Sequence, residues 1–155
     1  MAYQKLQGKG AINVVPDDNV IVPGPGGKVA SGTTDGGAAN KLIDSTALFN
    51  GKVKLGATVY NTAANTVATV TSVSQTELGL SANITALAGI TYVIYNTYPS
   101  EGPVLFVGTG GDLNIETVGG DTVLLKNLNN ASFIPIMVNK VLLTNTSCAD
   151  IVALW

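Results

Sequence analysis

The chain has 155 residues, of which 46% are hydrophobic and 12% are charged, and its formal net charge is −2. Soluble domains carry about 25% charged residues, and so low a charge argues against a disordered chain. All eight basic residues are lysines and histidine is absent, which argues against a histidine-based catalytic triad, a typical zinc site and the basic surface of a nucleic-acid-binding protein.

The first 38 residues are predicted to form an extended N-terminal arm. Short apolar runs at 11–15 and 19–22 flank a Pro-Asp-Asp turn. The run Pro-Gly-Pro-Gly-Gly at 23–27 fits neither a helix nor a central strand, and residues 31–39 are small and flexible. The alternative is an ordinary loop that leads into a domain.

Residues 39–50 are predicted to be extended, because Asn50-Gly51 is a strong hairpin-turn signal. One helical turn is the alternative. The next segment, 51–99, is predicted to be an inserted lobe, a small β-barrel that resembles an SH3-like module. Its four candidate strands are 57–61, 66–74, 76–81 and 91–97, which are rich in Thr, Val and Tyr and separated by turn residues.

The C-terminal part supplies a second series of strands. Candidates are 104–108, 112–118, 122–127, 134–144 and 150–155, with a two-residue hairpin turn at Gly119-Gly120. Residues 39–50 and 100–155 are predicted to form the main β-sandwich lobe, which makes the fold class all-β. The final run Ile-Val-Ala-Leu-Trp is predicted to be a paired strand or to be buried against a partner.

No motif for a cofactor or a metal stands out. The glycine-rich runs lack the Walker A spacing. Asp112 and Glu116 are spaced too widely along a strand for a catalytic carboxylate pair. We therefore predict no catalytic residues, no cofactor and no metal site, and we predict that the protein is not an enzyme.

The aromatic and sulfur-containing side chains leave two possibilities open. Tyr92 and Tyr98 are predicted on one face of a strand and Tyr95 on the other, either as packed side chains or as a sugar-stacking surface. Trp155 is expected in the core or in an interface. Cys148 is alone, so no intrachain disulfide can form, and it is expected to be buried.

Targeting signals are not evident either. The N-terminus lacks the apolar segment of a secretory signal, and no run is long enough for a transmembrane helix. We expect a protein that is made in the cytoplasm, with no membrane and no nucleic acid among its partners.

Residues 40–155 resemble the virion proteins of tailed bacteriophages. The strings that carry the resemblance are NKLIDSTALF at 40–49, GATVYNTAANTVATVTSVSQTELGLSANI at 56–84, residues 89–95, and VGTGGDLNIETVGGDTVLLKNLNNASFIPIMVNKVLLTNTSCADIVALW at 107–155. The resemblance implies a structural protein of the particle, most like a small capsid decoration (cement) protein. It brings no catalytic residues with it.

The expectations that follow concern partners and location. We expect a protein on the capsid surface of a virion, made in the host cytoplasm, that binds the major capsid protein and itself, most simply as a homotrimer. The alternatives are a head–tail connector, tail or fibre-base protein, and a particle-bound carbohydrate-binding module. The candidate interface residues are Val14, Val20, Val22, Pro23, Phe133 and Trp155.

Overall fold

The computed structural model describes residues 8–98 and 101–155, and within these ranges the chain is all-β, with no helix. The prediction of an all-β fold is confirmed. The strands are β1 (Ala11–Asn13), β2 (Lys28–Thr33), β3 (Gly36–Ala38), β4 (Lys41–Ile43), β5 (Thr58–Asn61), β6 (Thr66–Val73), β7 (Glu77–Leu80), β8 (Thr91–Tyr95), β9 (Val104–Thr109), β10 (Gly111–Thr117), β11 (Thr122–Leu128), β12 (Ser132–Ile134), β13 (Val138–Val141) and β14 (Ala149–Leu154).

Two antiparallel sheets enclose the first core. One sheet has the order β1-β14-β9-β12 and the other β11-β10-β13. Period-2 alternation directs every second side chain of these strands inward. The buried members of the first core are Val14, Val22, Leu105, Val107, Leu113, Ile115, Ile134, Val138, Val141, Cys148, Ile151 and Ala153.

The third sheet has seven antiparallel strands in the order β2-β8-β5-β6-β7-β4-β3. Its register shifts between Val70 and Ser72 in the long strand β6, and such irregularities bend a strand. β2 and β3 are the two edge strands of this sheet and do not pair with each other, so the sheet is not closed into a barrel. Thr34 and Asp35 connect these two strands. The second core lies on this sheet, and its buried members are Leu42, Phe49, Val53, Ala57, Val59, Ala68, Val70, Leu78, Leu80, Tyr92 and Ile94.

A small third cluster joins the two parts of the chain. Val20 packs with Tyr60 and Val67, which alternation places on the side of the seven-stranded sheet opposite the second core. Ile12 packs against both this cluster and the first core. The N-terminal segment therefore lies between the first core and the seven-stranded sheet.

The predicted N-terminal arm is corrected by this arrangement. β1 pairs with β14, β2 pairs with β8, and β3 pairs with β4, so the described part of 1–38 is built into sheets because its backbone groups find partners there. Residues 1–7 of the predicted arm lie outside the described residues.

The assignment of 39–50 also differs. β4 pairs with β7 and β3, and Leu42 and Phe49 are buried in the second core. This segment packs with 51–98, not with 101–155, because its apolar side chains complete the core of the seven-stranded sheet. The predicted boundary at 99–100 lies outside the described residues.

Candidate functional site

The outer face of the four-stranded sheet carries apolar side chains. In β9, Val104 and Phe106 alternate with two core residues and point away from the first core. The register places Phe106 between Phe133 of β12 and Val152 of β14, and it places Val104 opposite Leu154. Residues that are directly opposite share a face of the sheet. We call these five residues the apolar face.

The apolar face is open to solvent. Phe133 is 56% exposed and the other four side chains are half-buried. None of the five belongs to a packed core cluster. A charged side chain lies at one end, where the Asp150 carboxylate accepts a hydrogen bond from the Thr109 hydroxyl at 2.7 Å. Exposed apolar patches on a sheet are candidates for partner binding.

A groove of about 500 Å³ lies between strands β1 and β14 and the side of the seven-stranded sheet that faces them, and Val152 of the apolar face is part of its lining. Tyr60 and Tyr95 form part of its wall, with ring centroids 5.9 Å apart in an edge-on arrangement. Burial raises the pKa of Tyr60, with the neighbouring Tyr95 adding to the effect, and burial also raises the pKa of Tyr95. Both hydroxyls therefore stay protonated at neutral pH. Polar side chains in the lining are Asn13, Thr62, Asn65 and Asp150.

A second cavity of about 440 Å³ borders a buried carboxylate, Asp44. The Tyr92 hydroxyl donates to Asp44 Oδ2 at 2.7 Å, and the Thr46 hydroxyl donates to Oδ1 at 2.7 Å. The backbone N–H groups of Thr46 and Ala47 also donate to Oδ1. Both carboxylate oxygens are committed to holding this turn and the core tyrosine, so the geometry offers no free base here.

The structure separates the predicted interface residues. Val14 and Val22 belong to the first core, Val20 belongs to the third cluster, and Pro23 is buried. These four side chains are not open to a partner in this fold, which corrects the prediction, because the segment that holds them packs between sheets. Phe133 is exposed and belongs to the apolar face.

Trp155 is half-buried and packs against the first core and Tyr95. Its carbonyl accepts hydrogen bonds from the backbone N–H groups of Lys9 and Gly10. Trp155 was expected either in the core or in an interface, and in this structure it packs against the first core.

The three tyrosines of the predicted sugar-stacking surface do not share a site. Tyr92 lies in the second core and Tyr95 in the groove. Tyr98 is 38% exposed, and the Lys54 ammonium lies 5.0 Å from the centre of its ring. Tyr60 is the tyrosine that packs against Tyr95. The sequence around Tyr60 is a short strand-forming run, and nothing in it predicts this contact.

Residues 8–98 and 101–155 give little support for a metal site, a reactive thiol or a membrane-spanning helix. No group of three or more Cys, Asp or Glu side chains is placed to hold a metal ion. Burial and the nearby Asp112 raise the pKa of the Cys148 thiol, which disfavours the reactive thiolate. The same residues include no helix that is long and apolar enough to cross a membrane.

The chain matches no family model, no curated protein and no solved structure. Its function is therefore inferred from the apolar face and the groove. The sequence does carry a signal for the apolar face, since the runs VLFV at 104–107 and IVAL at 151–154 are apolar at every position. Continuous apolar runs are typical of strands that are covered on both faces.

Proposed function

We propose that this chain is a structural protein of a tailed-bacteriophage particle, and that it binds the outside of the capsid as a decoration protein. The proposal rests on the apolar face, because an exposed phenylalanine among apolar neighbours on a sheet is typical of a surface that binds a partner. The resemblance of 40–155 to phage virion proteins supplies the identity of that partner, the major capsid protein.

The proposed role is mechanical and not catalytic. A protein that binds an assembled shell and not its separate subunits stabilises the shell by mass action. Burying the exposed half of Phe133 contributes about 1–1.5 kcal/mol per copy, and many copies repeat that contribution over the particle. The protein would be made in the host cytoplasm and located on the virion surface.

The finer fold is part of the proposal. We infer that the two sheets around the first core form a β-sandwich, and that the seven-stranded sheet forms a small SH3-like lobe whose strand ladder stays open between β2 and β3. We infer that the sandwich presents the apolar face, while the smaller barrel-like part stands beside it.

A head–tail connector, tail or fibre-base protein is the first alternative. Such a protein would also use an apolar sheet face to contact its neighbours, so the fold does not separate the two. The copy number per particle does. Quantitative mass spectrometry of purified virions is expected to give a copy number comparable to that of the major capsid protein, whereas about a dozen copies or fewer would favour the connector or tail, and absence from the virion would overturn both.

A carbohydrate-binding module is the second alternative, and the groove is what favours it. The half-buried ring of Tyr95 lines the groove together with the side chains of Asn13 and Asn65, while Tyr60 is buried. An oligosaccharide array tests it: binding that is lost in Tyr95→Ala would favour this module, and no binding would remove it.

A further inference from the structure

Strand β11 (Thr122–Leu128) is an open edge of the three-stranded sheet. Five of its seven residues are exposed, and among the described residues it pairs with β10 alone. Its sequence TVLLKNL contains no proline and one charge. A long apolar edge strand with these features is a template for pairing with another strand.

The other edge of the same sheet is covered. The backbone N–H of Asp17 donates to the Val141 carbonyl at 2.9 Å, and that of Val22 donates to the Asn139 carbonyl at 2.9 Å. The N-terminal segment thus protects β13. No comparable bond reaches the outer side of β11 from the part of the chain that the structure describes.

The hydrogen-bond register shows which groups of β11 are free. The Asn114 carbonyl of β10 accepts from Leu142 at 2.9 Å, so the backbone groups of Asn114 point away from β11. Leu124 lies opposite Asn114, and in such a non-hydrogen-bonded antiparallel pair its own groups point outward. Alternation gives Thr122 the same direction. It gives that direction to Lys126 as well, which is the first residue after Leu125 and stands where the register with β10 begins to shift. The outer edge therefore offers the N–H and C=O groups of these three residues.

One side chain of β11 lacks a neighbour on the core side. Val123 lies opposite Ile115, which is fully buried in the first core, yet Val123 is 38% exposed. Leu125, on the same face of β11, packs against that core. A further strand alongside β11 would cover Val123 and continue the core across the edge.

We propose that this strand is β11 of a second copy of the chain, paired antiparallel about a two-fold axis at Leu124, which gives a dimer in place of the homotrimer expected from the sequence. In this register Leu124 faces its own copy, Thr122 faces Lys126 of the second copy, and Val123 faces Leu125 of the second copy. The three outward residues of each strand then exchange about six backbone hydrogen bonds.

Charge and backbone geometry together favour this register over its neighbours. A two-fold axis at Lys126 would set two lysines opposite each other, and like charges that are directly opposite destabilise a sheet. An axis at Thr122 would set much of each strand against the hairpin turn at Gly119-Gly120, which is not extended. An axis at Leu125 would run the pairing through Asn127 and Leu128, where the register with β10 shifts and Asn127 has a φ of 53°. An axis at Val123 would set Lys126 against Gly120 of the turn. The axis at Leu124 pairs residues 122–126 with no like charges opposite each other. The inference does not rest on capsid binding.

A cysteine at the proposed axis tests the pairing directly. Hydrogen-bonded antiparallel partners have Cα atoms about 5.5 Å apart, which lies within the 4.4–6.8 Å of disulfides. In a Cys148→Ala background, Leu124→Cys is expected to give a covalent dimer under mild oxidation. Leu87→Cys, at a side chain that is 70% exposed, is the matched control and is expected to stay monomeric. No cross-link at position 124, or equal cross-linking at both positions, overturns the proposal.

The register has its own test in the same background. A mixture of the Thr122→Cys and Lys126→Cys chains is expected to give the mixed dimer in excess over either self-linked dimer, because these two positions face each other only across the proposed axis. Self-linked dimers in excess would overturn the register.

A change of backbone chemistry tests the interface without cysteines. Leu124→Pro removes an outward N–H and leaves the bonds to β10 intact. Light scattering over a micromolar dilution series is expected to give a dimer mass for the native chain and a monomer mass for Leu124→Pro, with an unchanged β-type circular dichroism spectrum. A monomer or trimer mass for the native chain, or a dimer mass for a folded Leu124→Pro, overturns the inference. Capsid binding is measured separately, so either proposal can fail alone.

Discussion

The Tyr95 ring meets the Trp155 indole edge-on, with ring centroids 6.5 Å apart and ring planes at 81°. Tyr95 ends β8 of the seven-stranded sheet, and Trp155 follows β14 of the four-stranded sheet. This contact therefore links the two sheets at one end of the chain, close to the wall of the groove. Trp155 therefore joins the two sheets within this chain.

Removing the Trp155 side chain is expected to destabilise the fold. Trp155→Ala loses a half-buried indole and its contact with Tyr95, and we expect the free energy of unfolding to fall by about 2 kcal/mol. Urea unfolding followed by circular dichroism measures this change. Leu55→Ala, at a side chain that is 69% exposed, is the control and should be neutral within about 0.5 kcal/mol. A loss for Trp155→Ala as small as that of the control would contradict the account.

The bond between Tyr92 and Asp44 gives a second prediction. Tyr92→Phe keeps the ring in the second core but leaves Asp44 Oδ2 without its 2.7 Å donor. A hydrogen bond to a charged group contributes about 1.5–3 kcal/mol, so stability should fall within that range. Tyr98→Phe, at an exposed ring, serves as control. Equal unfolding free energies for the two variants would show that the bond does not stabilise the fold.

Stability is expected to fall in acid. Burial alone would raise the pKa of Asp44, but the bonds from Thr46, Tyr92 and Ala47 together outweigh it and lower the pKa. A carboxylate whose pKa is lower in the folded state stabilises the fold above its unfolded-state pKa of about 3.9, and this stabilisation is lost as the pH falls through the folded-state pKa.

The measurement is urea unfolding between pH 7 and pH 2. Asp44→Asn should flatten the part of the curve below pH 4, because the substituted side chain no longer titrates. Leu55→Ala, at an exposed side chain that does not titrate, is the control and should keep the acid dependence of the native chain. If Asp44→Asn keeps the full acid dependence, the stabilising role of this carboxylate is refuted.

Two glycines in neighbouring turns should respond differently to alanine. A Cβ at Gly110 would lie 2.1 Å from the Leu128 carbonyl oxygen, whereas a Cβ at Gly119 would lie 3.5 Å from the nearest atom, Thr117 Oγ1. Gly110→Ala must displace backbone, so we expect a loss of about 2 kcal/mol or more. Gly119→Ala should be close to neutral. Thermal unfolding compares them, and a reversed order would contradict the described packing of β11 against this turn.

Local patterns were enough to predict much of the strand content. The hairpin at Gly119-Gly120 was expected, and it connects β10 to β11 with Gly120 at a φ of 90°. The turn before β6 was expected too, with Asn65 at a φ of 51°. Turn residues with special backbone angles and β-branched runs encode these features within a few residues.

Pairing over long sequence distances was not predictable in the same way. β2 and β3 are rich in glycine and alanine and resemble a loop, and they become strands because β8 and β4 pair with them. The burial of Val14, Val20 and Val22 likewise depends on sheets formed far along the chain. The apolar face arises from the register of β12, β9 and β14, which no single run specifies.

Binding of the purified protein to capsids that lack it tests the central claim most directly. Co-sedimentation should give saturable binding for the native chain and for Leu87→Asp, whose side chain is exposed away from the apolar face. Phe133→Asp should bind about a hundredfold more weakly. The substitution removes a phenylalanine that the proposed interface would bury, and it places a carboxylate in an apolar interface. Phe133→Asp binding with native affinity, or no binding by the native chain, would contradict the account.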